Sequence, residues 1–211
     1  MGHPNGNDKI KKVYDYLTTE HGFSKTFSAS AMSRGNFMVF QYASTYPEQI
    51  ESIYMDNAVV DGLSWPAGSA YAGDIEYAPN KTYSGPGSKG SFDLYLKEYS
   101  EFSDYAGAVE YLKTAGSPIH QLEPLAKAGV PILSICGSID HAVPYEENDK
   151  RMKERYDALG GNMRVIVQEK GHGHGAKENV EDLYSFIRQH TFRKANTVAP
   201  TPVTYTVRFA W

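Results

Sequence analysis

In the stretch DKIKKVYDYLTTEHG, Ile10, Val13, Tyr14 and Leu17 recur at the spacing of one helical face. Asn7-Asp8 before them and Gly22 after them supply start and stop signals, so the pattern predicts an amphipathic helix. A short strand is expected from Thr26 to Met32. The run NFMVFQYASTYPEQ that follows is apolar almost all round until Pro47, as a helix pressed against a sheet must be. ESIYMDNAVV then reads as a second, mostly buried strand. From residue 62 to about 117 the rhythm breaks into SWPAGSAYAG, YAPNKTYSGPGSKG and a tyrosine-rich helical stretch, SFDLYLKEYSEFSDYAGAVEYL, which together look like an inserted, aromatic-rich cap. Alternation returns at Leu122 with a short helix to Ala128, a strand in VPILSICG, a helix in EENDKRMKERYDALGG, a strand in MRVIVQEKG and a helix in KENVEDLYSFIRQH. Strands that alternate with helices predict the α/β class, with a mostly parallel sheet flanked by helices. The expected organisation is one α/β domain over 1–192 and a linker with a strand-like tail over 193–211, where Val203 to Trp211 alternates at strand period.

Composition narrows the function more than the fold. A length of 211 residues with 41% hydrophobic residues suffices for one real core. The formal net charge of -4, the pI near 6.0 and the scattering of 21 basic residues leave no electrostatic footprint for nucleic acid or an anionic membrane. A small molecule or a sugar is the easier partner. The single cysteine, Cys136, lies inside VPILSICG and reads as a packed core thiol. MGHPNGNDKIKK holds no apolar stretch fit for a signal peptide, and no run approaches the ~18 residues of a membrane span. A soluble chain, cytoplasmic by default, is the expectation.

Candidate chemistry sits at three strand ends. Ala31-Met32-Ser33-Arg34-Gly35 is one residue short of the Gly-x-Ser-x-Gly nucleophile elbow, in which a sharp strand-to-helix turn lifts the serine hydroxyl above the sheet and the next amide faces the developing oxyanion. A serine at a helix start is also an ordinary cap. Asp140 follows the strand VPILSICG in the pattern Gly-x-x-Asp-x-x-Val-Pro, where an acid faces the ligand crevice or simply closes an Asx turn. The strand MRVIVQEKG ends in GHGHG, a glycine loop that carries His172 and His174. Together Ser33, Asp140 and His174 occur in the chain order serine, acid, histidine, each after a strand and before a helix. In that order the histidine takes the serine proton and the aspartate holds its tautomer.

These stretches resemble the α/β-hydrolase superfamily, within it the single-domain esterase-like or prolyl-oligopeptidase-like hydrolases. The likeness runs from about Gly2 to Phe186 and is carried by SRG, YMDNAVVDGLSWP, PLAKAGVPILSICGSIDHAVPYEEN, RYDALGGNMRVIVQEKGHGHG and DLYSFI. It implies a partial α/β-hydrolase fold and Ser-His-Asp cleavage of an acyl ester, plausibly one carried by a carbohydrate, with no cofactor and no metal. In relatives the catalytic histidine follows Gly-x-Gly, which selects His174 and leaves His172 as its neighbour. Relatives have Gly where Ala31 stands and often Gly in place of Asn36. They also place several strands ahead of the segment that resembles MGHPNG, and a loop after one of these donates a second oxyanion amide. The resemblance therefore implies an N-terminally truncated domain in which the Arg34 amide is the oxyanion donor that remains.

Other readings compete for the same residues. A degenerate hydrolase fold could bind a ligand or partner without turnover. His172 and His174 with His141 and Asp140 could ligate zinc. Asp56 and Asp61, after the second strand, are alternative positions for the acid. Of the cap aromatics, Tyr71, Tyr77, Tyr83, Phe92, Tyr95, Tyr99 and Tyr105 read as core, and only Trp65 is singled out as a substrate contact. A first strand without its neighbour would be an open edge, through which the chain is expected to self-associate.

Overall fold

The computed structural model describes residues 4–68, 84–98, 105–173 and 175–191. Helix α1 (Pro4–Glu20) leads into β1 (Phe27–Met32), α2 (Asn36–Thr45) and β2 (Ile50–Asp56). Two helices of the cap follow, α3 (Lys89–Glu98) and α4 (Tyr105–Tyr111), and then α5 (Glu123–Lys127), β3 (Ile132–Gly137), α6 (Asp149–Ala158), β4 (Met163–Gln168) and α7 (Val180–His190). All neighbouring strands run parallel, in the order β1-β2-β3-β4.

That order dictates the layers. Parallel strands laid down in sequence, each reached by a right-handed crossover, put every crossover helix on one face of the sheet. Phe40 and Ala43 of α2, Leu125 of α5, and Met152 and Tyr156 of α6 accordingly share one cluster with Ile53 and Met55 of β2 and Ile132 of β3, and Ile10 of α1 packs against it. The opposite face is covered by α7, whose Phe186 meets Tyr54, Leu133 and Ile135. β2 is buried along its whole length, as an inner strand covered on both faces must be. A third cluster, with Phe37, Val59, Leu63, Phe92, Val109, Leu112 and Val143, joins the cap to the strand ends.

The strand expected over ESIYMDNAVV ends at Asp56, because Asn57 turns with φ +43° and the chain leaves the sheet there. No helix among the described residues is long and apolar enough to cross a membrane. The tail over 193–211 and Tyr71, Tyr77, Tyr83 and Tyr99 of the cap lie outside the described residues.

Candidate active site

Ser33 follows β1 directly and opens a single helical turn, Ser33–Gly35, that runs into α2. Its φ of +48° is a conformation L residues rarely adopt and matches the strained turn of an elbow. Ala31 fits beside Gly35 without crowding, since even a Cβ at Gly35 would lie 3.7 Å from the Ala31 Cβ, an ordinary van der Waals contact. Asn36 closes the turn by donating from Nδ2 to the Ser33 carbonyl at 2.8 Å, and the Val59 amide donates to the same carbonyl at 3.2 Å. The Arg34 amide stands at the start of this turn, among the first amides of a helix that lack an intrahelical acceptor.

Asp140 is buried and uses both carboxylate oxygens. Oδ1 accepts the amides of Ala142 and Val143, each at 2.9 Å, which is an Asx turn. Oδ2 lies 2.7 Å from Nδ1 of His172. The other ring nitrogen of His172, Nε2, lies 3.1 Å from the Ser33 hydroxyl. The Asp140 side chain is 1% exposed and that of His172 35%, so the acid is shielded while the imidazole meets solvent at the cleft. Beside them a cavity of about 210 Å³ is lined by Met32, Asn57, His172 and Gly173.

The histidine that joins Ser33 to Asp140 is His172; His174, which the Gly-x-Gly pattern selects, lies outside the described residues. Strand register is what places His172 there. Gly137 pairs with Gln168, and the two chains stay together beyond the sheet through Ser138 N–H to the Gln168 carbonyl at 2.7 Å and Ile139 N–H to the Lys170 carbonyl at 3.1 Å. Asp140 and His172 thus leave the paired strands at nearly the same height. Gly137 permits this crossing, since a Cβ there would fall 2.1 Å from the Lys170 carbonyl oxygen. By Gly175 the chain has moved under β2, where its amide donates to Asp56 at 2.9 Å. A Gly-x-Gly pattern carries no register, and only pairing of Gly137 with Gln168 could have separated the two histidines.

Asp56 and Asp61, the alternative acids, reach other partners. Asp61 accepts the Leu63 amide at 2.9 Å and pairs with Arg151 at 2.5 Å. Asp56 takes the Tyr54 hydroxyl at 3.0 Å. Trp65 is half-buried and packs on the cap cluster that holds Phe37. His141 is exposed beside Asp140, and among the described residues no group of His, Cys, Asp or Glu side chains is arranged to hold a metal ion.

No family model and no curated protein sequence matches the chain. Solved structures do. Acylaminoacyl peptidase of Pyrococcus horikoshii superposes with a TM-score of 0.60 at 12% identity, over 94% of this chain and 30% of that one. The chain carries the α/β-hydrolase fold. A puromycin hydrolase matches with a TM-score of 0.61 at 16% identity, over 93% of this chain and 26% of its own. A puromycin-hydrolyzing peptidase of Mycobacterium tuberculosis matches with a TM-score of 0.61 at 12% identity, over 95% and 27%. The α/β-hydrolase fold seen here thus spans less than a third of each of these longer chains.

Proposed function

We propose that the chain is the core of a serine hydrolase that transfers an acyl group to water through Ser33, His172 and Asp140. The observation that carries this reading is the unbroken relay from Asp140 Oδ2 through the imidazole to the Ser33 hydroxyl, built from three strand ends. Ser33 Oγ attacks the acyl carbon as His172 Nε2 takes its proton. Asp140 holds Nδ1 protonated and stabilises the imidazolium. The Arg34 amide faces the oxyanion of the tetrahedral intermediate. On collapse His172 passes its proton to the leaving group, and the same cycle with water frees the acid and restores Ser33.

The leaving group can be an alcohol or an amine. A carboxylic ester is the reading that needs least of the site, because an alkoxide leaves with less help from the acid. The structural neighbours, named for acylaminoacyl peptide and puromycin cleavage, support an amide as the second class to test. A carbohydrate ester has less support than the composition of the cap suggested. Phe92 is wholly buried and Trp65 packs on the same cluster, so both serve the core.

A fluorophosphonate probe tests the reading. It should label Ser33 in the parent, and Ser33→Ala and His172→Ala should each abolish labelling and the hydrolysis of a nitrophenyl ester, independently of zinc or chelator. Undiminished hydrolysis by either variant overturns the assignment. A comparison of nitrophenyl acetate with an aminoacyl anilide then ranks ester against amide.

A further inference from the structure

The loop that carries His172 has almost no side-chain packing of its own. Gly171 has no neighbour closer than 3.8 Å to a built Cβ, and Gly173 has none within 4 Å. Besides the close packing of Gly175 on Ile135, polar contacts to its backbone hold it, and on its far side they come from two residues at the end of β2. Asp56 Oδ1 accepts the Gly175 amide at 2.9 Å and the Asn57 side-chain amide at 2.8 Å, while Oδ2 accepts the Tyr54 hydroxyl. Asn57 Nδ2 also donates to the Gly173 carbonyl, and Asn57 Oδ1 accepts the Gly137 amide at 3.1 Å. The Asn57 backbone amide adds a bond to the Ile135 carbonyl at 2.9 Å.

From this geometry we infer that Asp56 and Asn57 act as a clamp that positions His172 against Ser33, a role that rests on the hydrolase reading above. Gly173 and Gly175 are gripped just beyond His172, and Lys170 is gripped just before it by Ile139, so both flanks of the histidine are tied to the ends of β2 and β3. The φ of +43° at Asn57 turns its side chain out of the strand direction and into this loop. Asparagine is among the few residues that accept this conformation. Among the described residues the Asp56 carboxylate accepts from the Tyr54 hydroxyl, the Asn57 side-chain amide and the Gly175 amide, and it serves as an acceptor, not as the acid of the relay.

Two variants separate the clamp from simple support of the fold. Asn57→Gly keeps the backbone conformation and removes the three side-chain bonds to Asp56, Gly173 and Gly137. Its kcat, and the rate of fluorophosphonate labelling of Ser33, should fall by roughly 10²-fold, as expected when a reacting group shifts by about 1 Å, with KM and Tm little changed. Asp56→Asn keeps an oxygen acceptor for Gly175 and should retain most of the rate, whereas Asp56→Ala should lose it. A loss near 10⁴-fold in Asp56→Asn would instead make Asp56 the catalytic acid and overturn the proposal. A proton NMR readout keeps the clamp distinct from the hydrolase reading: the far-downfield proton shared by His172 and Asp140 should be sharp in the parent and broadened or lost in Asn57→Gly. A signal present in the parent and lost in Asn57→Gly, in a parent that never labels, supports the clamp and overturns the hydrolase. An unchanged signal and unchanged labelling in Asn57→Gly overturn the clamp alone.

Discussion

At the scale of single residues, Asp140 shows why a bland and a functional reading need not exclude each other. A carboxylate has two oxygens with separate lone pairs. Oδ1 closes the Asx turn on Ala142 and Val143, and Oδ2 faces His172. The two roles come apart in Asp140→Asn. The amide oxygen can still accept the turn amides, so Tm should stay close to that of the parent. The charge that holds the imidazole tautomer is gone, and kcat should drop by about 10⁴-fold. Kinetics on a nitrophenyl ester with a parallel thermal melt checks both halves, and ordinary turnover by the variant would remove Asp140 from the mechanism. Ser33 was legible in the same partial way. Its neighbours announced an elbow, but its φ of +48° is a property of the folded turn.

At the scale of elements, α6 carries another buried acid, outside the Ser33–His172–Asp140 relay. Asp149 sits in the first turn of that helix, where the helix dipole favours a carboxylate, and it accepts the Ser134 hydroxyl. Burial outweighs these and pushes it up to about 6 from an ordinary 3.8. An acid whose pKa is raised on folding stabilises the fold fully below its unfolded value, and this contribution is lost as pH rises through the folded value. Asp149→Asn, which never ionises, should therefore gain stability relative to the parent as pH rises from about 4 to about 6, and hold that gain above it. Urea unfolding of both proteins across this range measures the difference, and a difference independent of pH would show that Asp149 does not titrate there. Most elements were themselves readable. β1 and the helices α1, α2, α6 and α7 fall where periodicity and end signals put them, because burial on one or both faces leaves its mark on composition. The strand over ESIYMDNAVV was read too long, since Asn57, Ala58, Val59 and Val60 are apolar or buried in the loop beyond β2 rather than in the sheet.

For the whole molecule, β1 matters most. Among the described residues no strand pairs with the edge of β1 that faces away from β2, and on the hydrolase reading proposed above the Arg34 amide is the oxyanion donor beside Ser33. Absence of one such donor costs roughly 10² to 10³ in turnover. On that reading the chain should label at Ser33 yet turn over esters slowly, and the edge of β1 that is unpaired among the described residues should make it associate with rising concentration. Active-site titration with kcat on the same sample, and light scattering over a concentration series, test the two parts. A monomer that turns over esters at ordinary enzymatic rates would overturn both.

The class of the fold, the order of its elements and the candidate serine and acid were legible in the sequence alone. Each leaves a local mark: a period of apolar positions, a glycine at a turn, an acid just past a strand. The choice of His172, the part of Asp56 and Asn57, and the packing of Phe92 and Trp65 were decided only by tertiary structure. These depend on which residue of one strand stands opposite which residue of the next. That register is set by the packing of the whole sheet against its helices, and no stretch of sequence contains both partners.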